Sequence, residues 1–218
     1  MKTFALAAFC AVCALVATAA DKVPLKIKLP APHSTGTPKE IKSTNLEPDP
    51  GPGKLRPPIM VPPDCQKLLT NEDTPVTTSE EAVTGENEYV VDGDKTPDAT
   101  CMLQLPGGPQ WVQLDLGAEH VIAAVCVWHD QGDDRAYRDV VVQISNDKEF
   151  KTGVTTIFNN DHDDSSKLGK GADKEYRERN EGRPIDGRLT KGRYVRCHSN
   201  GSSSEPMNNY VEIEVFGK

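Results

Sequence analysis

The chain is poor in aromatic residues and lacks a strong helical pattern. Aromatic side chains make up 6% of its 218 residues, and two of them are tryptophans. No segment carries a long apolar stripe at a spacing of 3.6 residues, so a helical bundle is not predicted. The motifs HExxH and GxSxG and a phosphate-binding glycine loop are also absent. These absences exclude the most recognisable protease, hydrolase and nucleotide-binding signatures, and we expect no catalytic activity.

The chain has fewer basic than acidic residues. The chain has 25 Lys and Arg residues against 33 Asp and Glu residues, a formal net charge of −8. A surface of this sign repels phosphate backbones, so nucleic acid is not an expected partner. Cations and neutral ligands suit the composition better.

Residues 1–20 have the three parts of a secretory signal peptide. Lys2 supplies the positive charge, an apolar run extends from Phe4 to Val16, and Ala17-Thr18-Ala19 is a cleavage pattern. The apolar run is short for a transmembrane helix, so no transmembrane segment is expected in the mature chain. The sequence therefore predicts a secreted, periplasmic or cell-surface protein.

Proline concentrates in residues 21–64, which hold 11 of the 17 prolines. Such a segment can neither continue a helix nor form a central strand, so it is interpreted as a linker or as a strap across the domain. The alternating run at 25–29 could add an edge strand. The folded domain is expected from 65 to 218, which is long enough to form its own core.

Within 65–218 the apolar residues repeat with a period of two. Val112, Leu114 and Leu116 alternate with polar residues, and so do the apolar residues of 211–215. The run at 121–128 is apolar on both faces, as in a central strand covered on both sides. Eight strands separated by Gly, Asn and Asp turns favour an all-β, antiparallel jelly-roll β-sandwich. The strands are expected near 75–78, 88–91, 110–116, 120–128, 138–145, 153–158, 192–198 and 210–216.

Four cysteines follow the signal peptide: Cys65, Cys101, Cys126 and Cys197. Export would permit disulfide bonds, but the sequence does not select one of the three possible pairings. Buried free thiols are an equally good interpretation, since Cys126 and Cys197 lie in strand-like runs.

The order of six short motifs resembles a known family. They are DGD (92–94), WVQLDLG (111–117), VIAAVCVW (121–128), YRDVVVQIS (137–145), GRYVRCHS (192–199) and VEIEVFG (211–217). In this order they are similar to the signatures of a discoidin, or coagulation-factor type C, domain of the galactose-binding-like superfamily. The polar insertion at 159–191 is also similar to that of secreted bacterial versions, especially planctomycete-type ones. The resemblance implies a jelly-roll module that binds glycans, lipid headgroups or proteins without catalysis.

The resemblance also implies a structural calcium site. Asp92, Asp94 and Thr96 offer two carboxylates and a hydroxyl around Gly93, and calcium binds oxygen ligands of this kind. In the family a glutamate of the last strand completes the site, and Glu212 stands at the matching position. The alternative is an Asp-Gly turn capped by its own side chains. The family's short Thr-x-Trp after DGD is replaced here by a longer run without Trp.

A second acidic loop, at 159–164, contains three carboxylates and two amides. It does not follow the EF-hand pattern, because Ser166 stands at the glycine position and Ala172 at the closing glutamate position. A divalent cation site or a solvated loop are both open interpretations.

A ligand patch is predicted where one strand leaves the core and the next enters it. Trp128, His129, Arg135 and Tyr137 could offer a sugar an aromatic face and hydrogen-bonding groups. The alternative makes Trp128 a core side chain and pairs the arginines with nearby aspartates.

Three functions remain open at this stage. The favoured one is a secreted, calcium-stabilised module that binds carbohydrate. The second is a structural or adhesion domain that contacts a cell-surface protein. The third is a metal-dependent enzyme in which His129 and His162 meet in space.

Overall fold

The structure of the protein is a computed structural model that describes residues 21–32, 40–43, 45–51 and 53–218. The predicted signal peptide at 1–20 lies outside these residues. Short 3₁₀ helices span Pro63–Cys65 and Asn87–Val91. The strands of the described part are β1 (Val23–Pro24), β2 (Met60–Val61), β3 (Lys67–Leu68), β4 (Val76–Thr78), β5 (Leu103–Leu105), β6 (Gln110–His129), β7 (Val141–Ser145), β8 (Thr155–Asn159), β9 (Arg183–Ser199) and β10 (Asn208–Gly217).

All named strand pairs are antiparallel, as the jelly-roll prediction requires. The main sheet has the order β3-β10-β6-β9-β7-β8, while β4 pairs with β6 and β5 pairs with β10. Both β6 and β9 are long enough to contribute to each of the two layers of the sandwich. The first half of β6 lies between β4 and the end of β9, and its second half lies between β10 and the start of β9. The break between Asp115 and His120 turns the strand from one layer to the other, so the fold is a β-sandwich.

The core between the two layers follows the alternation of the sequence. Val112, Leu114, Val142 and Ile144 are fully buried and contribute to one large apolar cluster, as predicted. Residues 123–129 are buried on both faces, which confirms the expectation of a central strand covered on both sides.

The outer face of the second layer has its own apolar cluster. Ala124, Cys126 and Trp128 of β6 pack there against the proline-rich segment. The residues that cover them from that segment and its end include Leu25, Val61 and Cys65. The described part of this segment thus lies across the domain as a strap, and it shields apolar surface of the sheet from water.

Arg56 fixes the strap by contacts to a distant loop. Its guanidinium lies 2.6 Å from carboxylate oxygens of both Glu47 and Glu181. It also donates to the carbonyls of Arg177 and Gly182. The Arg56 side chain therefore links two parts of the strap, at Glu47 and at Arg56 itself, to the loop before β9.

Several strand predictions need correction. Residues 88–91 form a 3₁₀ helix, and 110–116 and 120–128 are halves of one continuous strand. The insertion at 159–191 is not a loop throughout, because β9 begins at Arg183. The expected edge strand at 25–29 does not form, and the strand of this region is β1, which lies just before it and pairs with β2. Among the described residues, no helix has the length and apolar character needed to cross a membrane.

Candidate functional site

The loops at one end of the sandwich surround a large cavity. The loops that follow β5, β6, β8 and β9 all emerge at this end, since each strand pair is antiparallel and β6 returns to its starting end after its bend. The cavity has a volume of about 1020 Å³. Strap residues Lys42 and Ser43 close part of its rim.

The described lining of the cavity is almost entirely polar. Its carboxylates come from Asp139, Asp163, Glu175 and Glu205, and its cations are Lys42 and Arg138. Five serines and Asn200 add neutral donors and acceptors. Among the described lining residues, the imidazole of His162 is the one ring with aromatic character. The cavity therefore offers a ligand many hydrogen-bonding groups, and among its described lining no aromatic side chain larger than an imidazole.

Backbone hydrogen bonds join two of these loops and hold their shape. Arg138 and Gly201 are linked through N–H and carbonyl at 2.9 Å, and the Asn200 N–H donates to the Arg138 carbonyl at 2.9 Å. The Asn200 side chain donates to the carboxylate of Asp139 at 2.8 Å. Ser165 of a third loop donates to the same carboxylate. Asp139 is thus positioned by two neighbouring loops, and Arg138 beside it remains exposed.

On the opposite wall, Glu175 is about nine-tenths buried. Its carboxylate lies 4.0 Å from Nδ1 of His162, whose side chain is half exposed. A bridge between the backbones of Leu46 and Glu175 connects this wall to the strap. The strap therefore helps to place cavity residues that are distant from it in sequence.

The residues of the predicted ligand patch are buried, which corrects the expectation that they are exposed to a ligand. Trp128, His129 and Tyr137 each have 0% of their surface exposed, so they present no face to a sugar. Trp128 donates its indole N–H to the carbonyl of Asn180, and His129 stacks on Tyr137 with ring centroids 4.3 Å apart. Trp128 and His129 are buried because β6 is covered on both faces at its end, and Tyr137, in the loop after β6, is buried in its stack on His129.

Arg135, the fourth member of the patch, is also buried. It forms ion pairs with Asp130 at 3.0 Å, with Glu205 at 2.5 Å and with Asp133. Burial alone would lower the pKa of Arg135, but the carboxylates of Asp133 and Asp130 raise it. The guanidinium thus joins the loop after β6 to the loop after β9, and supports the cavity from behind.

The structure does not bring His129 and His162 together as a metal centre. The Nδ1 atom of His129 lies 2.9 Å from the carboxylate of Glu178, inside the core. Among the described residues, a single group of three potential ligands has its atoms within 4.8 Å of one another, and it contains neither histidine. That group is Asp139, Asp161 and Asp163.

Asp161, at the centre of the acidic loop, is fully occupied by local contacts. It accepts hydrogen bonds from the N–H groups of Ser165 and Ser166 and from the Ser166 hydroxyl. Burial alone would raise its pKa, but these hydrogen bonds hold the pKa of Asp161 below its usual value. The loop is therefore a hydrogen-bonded turn that carries Asp163 and Ser165 to the cavity.

The structure does bring the DGD turn to the last strand, as predicted. The Gly93 N–H donates to the Glu212 carboxylate at 3.1 Å. Asp92 accepts from the Asp94 N–H at 2.7 Å, and Asp94 accepts from the Thr96 N–H at 2.9 Å. These are the self-capped turns that the sequence offered as the alternative to calcium.

A calcium ion does not fit this arrangement of donors. Calcium takes six to eight oxygens at 2.3–2.6 Å. The carboxylates of Asp92, Asp94 and Glu212 do not converge within 4.8 Å of one another, since the one described group that does so lies elsewhere. A lysine, Lys95, also points its ammonium into the same buried face, 2.6 Å from Glu214. The donor set is therefore that of a capped turn beside an ion pair.

Fold and site together define a galactose-binding-like β-sandwich with a polar cavity among its loops. A family model described as the NedA-like, galactose-binding domain matches residues 89–197. That range is half of the chain, and the chain belongs to this family. No curated protein matches it.

Several solved structures are similar to this chain at low sequence identity. A family 89 glycoside hydrolase from Clostridium perfringens, in complex with 2-acetamido-1,2-dideoxynojirmycin, is 19% identical with a TM-score of 0.50, over 69% of this chain and 14% of that one. The CBM32 of AlyQ, in complex with 4,5-unsaturated mannuronic acid, is 22% identical with a TM-score of 0.46, over 65% and 93%. A chitosan-binding module of a chitosanase/glucanase from Paenibacillus sp. IK-5 is 22% identical with a TM-score of 0.43, over 69% and 99%. At these identities the likeness concerns the fold.

Sequence reasoning missed most of the cavity. In the sequence Asn200 belongs to an Asn-Gly pair typical of a turn, and Lys42 to the proline-rich segment, and neither pattern indicates a binding site. One signal was present: if consecutive strands alternate in direction, the turns at 106–108, 159–164 and 200–201 fall at one end of the sandwich. Glu175 gave no signal, because its position depends on how the insertion folds back over the strap.

Proposed function

We propose that this domain is a non-catalytic module that holds a carbohydrate in the cavity between its loops. The observation that carries the proposal is the polar lining, with Arg138, Asp139 and Asn200 side by side on one wall. Guanidinium, carboxylate and amide groups are suited to the closely spaced hydroxyls of a sugar, because each can accept from or donate to two neighbours. Membership of the galactose-binding domain family supports the same ligand class.

We expect the affinity for a sugar to be low, because the described lining residues include no aromatic platform on which the sugar could stack. A ligand held mainly by hydrogen bonds exchanges them with water, so each bond contributes about 0.5–1.5 kcal/mol. Three to five such bonds give at most about 7.5 kcal/mol before the loss of ligand freedom is subtracted, so we expect binding no tighter than the millimolar range, which corresponds to about 4 kcal/mol. We propose that tighter retention needs a polymer or several copies of the module on one surface.

The site of action follows from the signal peptide predicted at 1–20. We propose that the mature chain acts outside the cytoplasm, as a secreted, periplasmic or cell-surface protein, where polysaccharides are available. The strap and the sandwich are proposed to work as one unit in this role, because Lys42 and Ser43 contribute to the cavity.

The test is a screen of residues 21–218 against neutral, acidic and amino-sugar polysaccharides by affinity gel electrophoresis. Arg138→Ala should weaken retention on the bound polysaccharide at least about fivefold, which is the loss of about 1 kcal/mol. Lys191→Ala is the matched control, since Lys191 is exposed on β9 and does not line the cavity. Equal retention of both variants would overturn the assignment of the cavity, and no retention of the folded wild type by any polysaccharide would overturn the ligand class.

A protein-contact function is the second candidate, favoured by the burial of Trp128. Without an exposed aromatic, the loop surface presents charges and amides, which suits a protein partner as well as a sugar. Met60 and Leu189 are exposed apolar residues on a separate small cavity of about 250 Å³. This candidate would be supported if the wild type is retained by none of the polysaccharides but binds a defined cell-surface protein.

A further inference from the structure

Lys95 is an unusual residue for the place it occupies. It lies in the turn after DGD, yet 6% of its surface is exposed. Its ammonium is 2.6 Å from a carboxylate oxygen of Glu214 and 4.7 Å from the centre of the Trp128 ring. Lysines are almost never buried to this degree unless they are paired. The side chain therefore has a defined structural role.

The partners of Lys95 lie on one face of the last strand. Glu212 and Glu214 are two residues apart on β10, so both point to the outer face of the second layer, beside Cys126 and Trp128 of β6. Glu212 is 2% exposed and Glu214 is 5% exposed. Two carboxylates buried so close together need positive charge nearby, because charge buried without a partner is strongly unfavourable.

Lys95 is the charge that the structure provides. Burial raises the pKa of Glu212 to about 8, and the Gly93 N–H, which donates to this carboxylate at 3.1 Å, and the charge of Lys95 both act against that rise. The Trp128 ring adds a cation–π contact on the other side of the ammonium. One side chain thus connects the turn, the last strand and the end of β6.

We propose that Lys95 is an internal cation that takes the place of a bound metal ion at this turn. A divalent ion at the turn would tie Asp92 and Asp94 to Glu212, and the Lys95–Glu214 pair ties the same turn to the same strand. The two arrangements differ in a measurable way. A bound metal ion would make the stability of the domain depend on calcium, whereas the lysine would not.

The first test uses the wild type alone. Purified residues 21–218 are melted in excess calcium and in excess chelator, and the calcium content of the purified protein is measured. The expected result is one melting temperature in both solutions and no retained calcium. A rise in melting temperature of several degrees in calcium would overturn the proposal, since a hundredfold excess over the dissociation constant would produce a shift on the order of 5–10 °C in a domain of this size.

The second test removes the charge. Lys95→Met keeps the apolar stem against Trp128 but leaves Glu214 unpaired, so melting in chelator should fall by about 10 °C. Lys148→Met, on the exposed turn after β7, is the control and should melt like the wild type.

A double-variant comparison separates the ion pair from general packing. Glu214→Gln should also lower the melting temperature, and Lys95→Met with Glu214→Gln should lower it by less than the sum of the two, because each single variant breaks the same ion pair and the double variant no longer has a charge on residue 214. Additive effects, or a Lys95→Met variant as stable as the wild type, would overturn the proposal. If Lys95→Met does not fold, the calcium comparison on the wild type still decides.

Discussion

His198 should make the stability of the domain fall as the pH falls below 6.5. It lies near the end of β9, between Trp111 of β6 and Val141 of β7. Its Nε2 atom is buried without a hydrogen-bond partner in the described structure. Burial, with a smaller contribution from the charge of Arg196, lowers the pKa of His198 from 6.5 to about 3. The folded state therefore holds the ring neutral at a pH where the unfolded chain binds a proton.

The sign and size of the effect follow from this difference in pKa. A depressed pKa contributes stability that is fully present above pH 6.5 and is lost progressively towards pH 3. Each pH unit below 6.5 removes about 1.4 kcal/mol from the free energy of unfolding. Between pH 6.5 and pH 4.5 His198 alone should remove about 3 kcal/mol, or on the order of 5–10 °C in melting temperature.

The assay is denaturant unfolding at half-unit steps from pH 7.5 to pH 4.5. His198→Gln keeps a polar side chain but removes the titration, so its curve should be flatter by about 1.4 kcal/mol per pH unit whatever its stability at pH 7.5. His120→Gln, at a partly exposed ring, should keep the slope of the wild type. Parallel curves for the wild type and His198→Gln would refute the reasoning, because the remaining slope would then belong to carboxylates.

Two further predictions concern the strap and the thiols. Arg56→Met should lower the free energy of unfolding by about 3 kcal/mol, because the buried Glu181 carboxylate loses its ion pair and the carbonyls of Arg177 and Gly182 lose a donor, while Glu47 keeps its pair with Arg183. The exposed Lys54→Ala should change the free energy of unfolding by less than about 0.5 kcal/mol. Chemical unfolding measures both variants, and equal effects would contradict the strap's role. Cys101 should react first with a thiol reagent in native buffer, because burial raises the pKa of Cys197 to about 12 and excludes the reagent; mass spectrometry locates the label, and modification of Cys197 without denaturant would contradict this.

The cysteines illustrate how the structure chose between two interpretations. The sequence allowed either disulfide bonds or buried thiols. In the structure the four cysteines of the described part are free, and Cys65, Cys126 and Cys197 are buried. The choice depends on distances between strands, which a single sequence does not contain.

The glutamates of the last strand show the limit of period-two patterning. Glu212 and Glu214 alternate with apolar residues, and this pattern correctly placed them on the face opposite Ile213. It also made them candidates for a solvated face, and they are buried instead. The alternation determines which residues share a face, but whether that face meets water depends on what covers it.

The sequence by itself determined the all-β class, the strands that cross the core and the turns between them. These features arise from local alternation and turn chemistry, which act over two to eight residues. The order of the motifs also determined the family, because six short patterns in one order are far more specific than any one of them.

Only the tertiary structure decided where ligands and charges can act. Trp128 became a core residue because the strap covers β6 from outside, and the cavity formed because four loops and the strap meet at one end. Lys95 became an internal cation because the turn folds onto β10, 119 residues further along the chain. Each of these outcomes depends on contacts between segments far apart in sequence, and no local pattern specifies such contacts.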